Sequence, residues 1–213
     1  MSPIDLLGDV QRVLFIGAHC DDIEIGCGAT VRRLVRTNPE CEIRFLVLTS
    51  TEECAVEAKT AAERFVGSAD AATVLSFRDG HLPFAGSEVK DAMAEVTAGF
   101  NPDLVFAHYR DDFHQDYRFV GELAWQLFRN STILEYEVPK WDGDLSRPNL
   151  YVPADDQDVA FKVDVLPEVF PSQTVKPWFD AELLRGLMRL RGMECKSPSR
   201  YAEAFHAHKV VAR

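Results

Sequence analysis

The apolar positions alternate between two rhythms, and those rhythms predict the elements. Val13, Leu14, Phe15 and Ile16 form one continuous apolar run, which reads as a strand buried inside a parallel sheet. After it, Ile25, Thr30, Leu34 and Val35 supply the buried side of a helix. Residues 42–48 predict a second strand ending at Thr49. Ser50, with Glu53 three residues on, reads as a capping box that opens a helix to about Val66. Residues 72–77 predict a third strand, running into the turn signature Arg78-Asp79-Gly80-His81. Val89, Met93, Val96 and Phe100 recur at helical spacing until Asn101-Pro102 breaks the pattern, and residues 103–107 predict a fourth strand. A polar stretch, 108–118, leads to a helix with Phe119, Leu123 and Leu127 on one face. Residues 132–138 alternate as a fifth strand, and 139–153 read as a loop. Val159, Val163, Leu166 and Phe170 mark a helix that Pro167 should kink or end early. Phe179, Leu183, Leu187 and Leu190 mark a last long helix, and 201–211 an edge strand.

Alternating strands and helices predict an α/β fold with a doubly wound, mostly parallel sheet, formed by one domain over residues 1–213. In the common order 3-2-1-4-5, strands 1 and 4 are neighbours across the switch point, where ligands bind in open α/β sheets. The two loops richest in ionisable residues follow those strands, so they face each other over one crevice.

Composition narrows the partners. The 213 residues carry a formal net charge of −11, which argues against nucleic acid, whose backbone requires clustered Lys and Arg. It still permits a small-molecule substrate with an anionic group held by a local Arg. No apolar run approaches the ~20 residues of a membrane span, and the first ten residues lack a basic leader pattern. The expectation is a cytoplasmic protein without membrane contact, and a homo-oligomer is left open. The five cysteines make no CxxC pair, so neither a disulfide framework nor a zinc knuckle is predicted. Cys20 reads as a small buried residue at a tight strand exit.

The chemistry concentrates at His19, Asp21 and Asp22, one imidazole and two carboxylates where a strand ends and a helix begins. Dinucleotide binding is excluded: Gly26-Cys27-Gly28 lacks the last glycine of the fingerprint, and the carboxylates before it repel a pyrophosphate. No P-loop and no G-x-S-x-G nucleophile elbow occurs. A divalent metal fits better, with His19 and Asp22 as ligands and Asp21 free as general base on a bound water. A third ligand is expected at His114 or near Tyr117. The plainer account of Asp21-Asp22 is a helix N-terminus decorated with carboxylates. Around this group, Arg78 is a candidate for binding a phosphate or carboxylate of the substrate. Asp111 and Asp112 read as loop-shaping residues, and His108 as a hydrogen-bonded support behind the ligands. His206, alternating with His208 in the tail strand, is expected nearer the site. Trp141 offers either a sugar-stacking surface or a partner contact.

Ala18-His19-Cys20-Asp21-Asp22 followed by Gly26-x-Gly28 resembles the A-H-P/C-D-D-x-x-x-G-x-G signature of the LmbE-like, or PIG-L, zinc-dependent de-N-acetylases. His114-Gln115-Asp116-Tyr117-Arg118 is similar to that family's second motif, H-x-D-H-R. Arg78-Asp79-Gly80 and the tail 201–205 are similar to less specific family segments. The resemblance implies a three-layer Rossmann-like fold, one Zn2+ or other divalent ion, and removal of an N-acyl group, acetyl in the first instance, from an amino sugar or related small molecule. It implies His19 and Asp22 as metal ligands, Asp21 as general base and His114 as oxyanion stabiliser. The third ligand of the family is the second histidine of H-x-D-H-R, and this chain has Tyr117 there. A phenol with pKa near 10 is a poor ligand unless the metal deprotonates it. The alternative to an enzyme is therefore a scaffold with a degenerate metal site that binds without catalysis or runs a different metal-assisted reaction.

Overall fold

The computed structural model describes residues 5–211. The apolar run at 13–16 becomes β1 (Arg12–Gly17), whose side chains are almost all buried. It is flanked by β2 (Glu42–Thr49) and β4 (Leu104–His108), both parallel to it. β3 (Ala72–Phe77) adds outside β2, and β5 (Thr132–Tyr136) outside β4, again parallel. The expected order 3-2-1-4-5 is present, and the sheet then continues with two antiparallel strands. β7 (Ala202–Ala207) pairs with β5, and β6 (Leu150–Pro153) closes the edge, giving β3-β2-β1-β4-β5-β7-β6. The tail strand is thus interior rather than at the edge. The edge belongs to a four-residue strand ending in proline, too short to show a period within 139–153.

The helices cover both faces. From β1 the chain steps through α1 (Asp22–Thr37) to β2 and through α2 (Glu52–Val66) to β3. It then returns through α3 (Gly86–Val96) to β4 and α4 (Gln115–Leu127) to β5. Right-handed crossovers in opposite directions place the two pairs on opposite faces. α5 (Asp156–Val169) packs against α1 and α2, and α6 (Ala181–Glu194) against α5 and β7.

Several local expectations shift. The cap of α2 is Thr51, whose side chain accepts from the Cys54 amide, while the Ser50 hydroxyl donates to the Leu75 carbonyl across to β3. Pro167 lies inside α5, and burial of Leu166 and Val169 carries that helix past it. α6 begins only after Phe179, capped by Asp180, and buries Leu184, Met188 and Arg191 while Leu190 is exposed. A buried Arg191 paired with Glu137 through two bonds of 2.6 and 2.7 Å displaces the apolar stripe by one position.

α1 explains the two glycines of its motif and the acidic residue of the tail. A side chain at Gly26 would run into the Tyr136 ring, and one at Gly28 would crowd Phe65 and Lys162. The close approach lets Lys162 reach into the helix: its ammonium donates to the Ile25 carbonyl and to Glu203, each at 2.6 Å. Glu203 in turn accepts from the Ala29 and Thr30 amides at 2.9 and 2.7 Å. This fully buried pair fastens α1 to α5 and β7, which fixes the direction of the helix end carrying Asp21 and Asp22. Removing one partner of a buried, hydrogen-bonded ion pair leaves a bare charge. Lys162→Met is expected to cost about 3–5 kcal/mol in urea-induced unfolding; a loss below about 1 kcal/mol would show that the pair is not what holds α1 in place. Among the described residues no helix is long and apolar enough to cross a membrane.

Candidate active site

The carboxyl ends of β1, β3 and β4 and the loop after β5 surround one cavity of about 760 Å³. The turn after β1 contributes His19 and Asp21, and the turn after β3 contributes Arg78 and Asp79. The start of α4 contributes His114 and Tyr117. The two polar loops expected to meet across the switch point do meet.

Asp22, next to Asp21 at the start of α1, is 1% exposed. Its Oδ2 accepts from the His19 amide at 2.7 Å and lies 3.1 Å from His108 Nε2. Its Oδ1 accepts from the Tyr117 hydroxyl at 2.6 Å. Burial alone would raise the Asp22 pKa, but the His108 and His19 rings and the bonds from His108 and Tyr117 hold it well below the usual carboxylate range. Asp21, next to it, is pushed the other way, by burial first and then by the Asp22 charge, with Lys176 offsetting part of the rise. One Asp21 oxygen, Oδ2, is buried without a hydrogen-bond partner among the described residues. Two adjacent carboxylates are thereby driven apart, one held ionised and one left basic.

His19 is oriented by two carboxylates and a phenol. Its Nε2 lies 2.9 Å from Asp79 Oδ1 and 3.3 Å from Asp116 Oδ2, and its Nδ1 lies 3.4 Å from the Tyr117 hydroxyl. Burial lowers its pKa, but Asp22, Asp116 and Asp79 together raise it well above the ordinary value. Asp116, completely buried, is itself fixed by the Gly80 and Leu82 amides at 2.8 and 3.1 Å. A carboxylate on one ring nitrogen that fixes the use of the other is the arrangement that supports metal-binding histidines. His114 caps α4, its Nδ1 accepting from the Asp116 amide at 3.3 Å. Asp112 accepts from the His114 amide at 2.7 Å and pairs with Lys140 at 2.8 Å, so it shapes the loop as expected. His108 is likewise behind the site: it bonds the Ala18 amide at 2.9 Å and stacks flat on Tyr117 at 4.0 Å.

The remaining expectations divide. His206 bonds Ser146 at 2.6 Å and stacks on Tyr109, away from the cavity, because β7 is interior and places it beside β5. Arg78 borders the cavity and, among the described residues, its side chain makes no hydrogen bond or ion pair, while its carbonyl accepts from the His81 amide. Trp141 is 73% exposed and also borders it. Cys20 is buried, and burial, followed by Asp21, raises its thiol pKa. Asp79 and Asp116 were visible in the sequence only as members of a turn and a motif. Their common signal is position, since both lie in loops that follow the carboxyl ends of strands, β3 and β4.

Whether His19, Asp22 and Tyr117 suit one ion is decided by distance. Donors around a tetrahedral zinc with bonds near 2 Å stand roughly 3.3 Å apart. Tyr117 and Asp22 stand 2.6 Å apart with a proton between them. Burial, then the Asp22 and Asp21 charges, raises the Tyr117 pKa well above its ordinary value. This trio does not fit a shared ion. Donor atoms of His19, His114 and Asp116 gather within 4.8 Å of one another, but Asp116 already serves two amides and the back of His19.

Tyr117→Phe removes one buried bond to a carboxylate, worth about 1.5–3 kcal/mol. The variant is expected to lose that much stability in urea unfolding; no measurable loss would mean that the phenol does not hold Asp22.

The chain shares its fold with several solved structures. It is 24% identical to the N,N'-diacetylchitobiose deacetylase of Pyrococcus horikoshii, covering 93% of this chain and 84% of that one with a TM-score of 0.72. A conserved protein of Thermus thermophilus is also 24% identical, over 94% and 96%, with a TM-score of 0.73. The 4-carboxy-2-hydroxymuconate hydratase of Pseudomonas putida matches at 16% identity over 95% and 98%, with the same TM-score of 0.73. The fold therefore carries more than one chemistry. The profile of the PIG-L family, described as GlcNAc-PI de-N-acetylase, matches residues 14–128, more than half of the sequence. This chain belongs to the PIG-L family.

Proposed function

We propose that this protein hydrolyses an N-acyl amide, acetyl in the first instance, on an amino sugar or a related small molecule. The observation that carries the reading is the Asp21 carboxylate: it borders a cavity large enough for a sugar, is left basic by burial first and then by Asp22, and has one oxygen with no hydrogen-bond partner among the described residues. A group so tuned at a cavity is suited to proton transfer. Asp21 takes a proton from the attacking water and returns it to the leaving amine. His114 faces the same cavity. With its Nδ1 engaged by the Asp116 amide, the proton sits on Nε2, and burial followed by the nearby His19 lowers its pKa. It is a neutral donor for the oxyanion of the tetrahedral intermediate. Arg78 and Trp141 are proposed to hold the rest of the substrate, one by charge and one by stacking.

The Tyr117–Asp22 bond favours a second reading, in which the same cavity binds an acylated compound without hydrolysing it. Asp21→Asn distinguishes the two. Against a panel of N-acetylated amino sugars, with released amine as the readout, the wild type is expected to turn over at least one compound. The variant should then fall by about 10² or more. Binding without amine release by the wild type supports the second reading; full activity in the variant assigns the base elsewhere.

A further inference from the structure

We infer that the Tyr117 hydroxyl takes the place of the family's metal ion in this chain, closing the position between His19 and Asp22 with a proton. The motif match puts residue 117 where the family has a histidine. A tyrosine oxygen reaches about 2 Å further from the backbone than an imidazole Nε2, the length of one zinc–nitrogen bond. The oxygen of Tyr117 therefore stands where an ion held by a histidine at that position would stand. Its two hydrogen-bond partners among the described residues are the other two implied ligands, Asp22 at 2.6 Å and His19 at 3.4 Å.

The hydrogen bonds around it close without an ion. The phenol has one proton and gives it to Asp22 Oδ1, so toward His19 Nδ1 it can only accept. Asp22 Oδ2 is occupied by the His19 amide and faces His108. At the far side of the ring, Nε2 meets Asp79 and Asp116. The tyrosine is also held against swinging out. Its ring lies flat on His108, with an interplanar angle of 5°, has His114 beside it at 4.5 Å, and has the Lys140 ammonium 5.5 Å over its face. An entering ion would have to break the bond to Asp22 and lift the ring off His108 together.

The inference concerns what occupies the site and is independent of which compound is turned over, so its test reads ion binding. Chelator-treated wild-type protein and Tyr117→His are titrated with Zn2+ calorimetrically, and with Co2+ by visible absorption. The expected result is one Zn2+ per chain in Tyr117→His, bound at least about 100-fold more tightly than by the wild type, with the Co2+ spectrum of a low-coordinate site in the variant alone. The wild-type titration stands by itself should the variant fold poorly. Sub-micromolar Zn2+ binding by the wild type that His19→Ala abolishes would overturn the inference while leaving N-acyl hydrolysis intact. A well-folded Tyr117→His that gains no affinity would also overturn it, because the phenol would then not be what excludes the ion.

Discussion

A carboxylate buried at the point where β1 gives way to α1 sets the terms for everything around it. Asp22 is ionised in a place closed to water, and charge there must be met by donors or neutralised. The structure meets it with the His19 amide, the His108 ring, the Tyr117 hydroxyl and the N-terminal turn of α1 itself. The amide and the hydroxyl donate and the His108 ring lies close, so the one charge ties the turn after β1 to the end of β4 and the start of α4. Asp21 inherits its character from the same source: beside an ionised neighbour and away from water, it keeps its affinity for a proton.

This demand reaches far along the chain. Asp22 can be aimed at the switch point only if α1 leaves the sheet in one direction. Lys162 and Glu203, from α5 and β7, set that direction through the helix backbone. Tyr136 fills the space left by Gly26, donates to the Ile16 carbonyl at 2.7 Å and approaches His108 at 3.1 Å. Behind His19 the pattern repeats, with Asp116 held by the amides of the turn after β3. Asp22, Asp116 and Glu203 are buried charges, each partnered from another element.

Much of this was legible in the sequence because strand and helix periods differ. The runs that became β1 to β5 and the helices between them stood out, and the strand order placed His19 and His114 at one crevice. The motif marked His19, Asp21, Asp22 and residue 117 together. What stayed hidden depends on long-range pairing. β6 is too short to carry a period, and β7 looked like an edge until its two partners were known. Arg191 broke the apolar stripe of α6 because a charged residue is buried there against Glu137. Asp79 and Asp116 are ordinary carboxylates until folding brings both to His19 Nε2. The meaning of Tyr117 was hidden as well, since the sequence showed an altered ligand position but not that the phenol donates to Asp22.

That bond separates this chain from the ion-binding pattern its motifs resemble, and crystallography with an anomalous scatterer tests it most directly. Crystals are grown with millimolar Zn2+, and diffraction is collected on both sides of the zinc edge. The account predicts no anomalous peak between His19 and Asp22, with the Tyr117 oxygen within hydrogen-bond distance of Asp22 Oδ1. A peak bonded to both His19 and Asp22, with the Tyr117 ring lifted from His108, would contradict it.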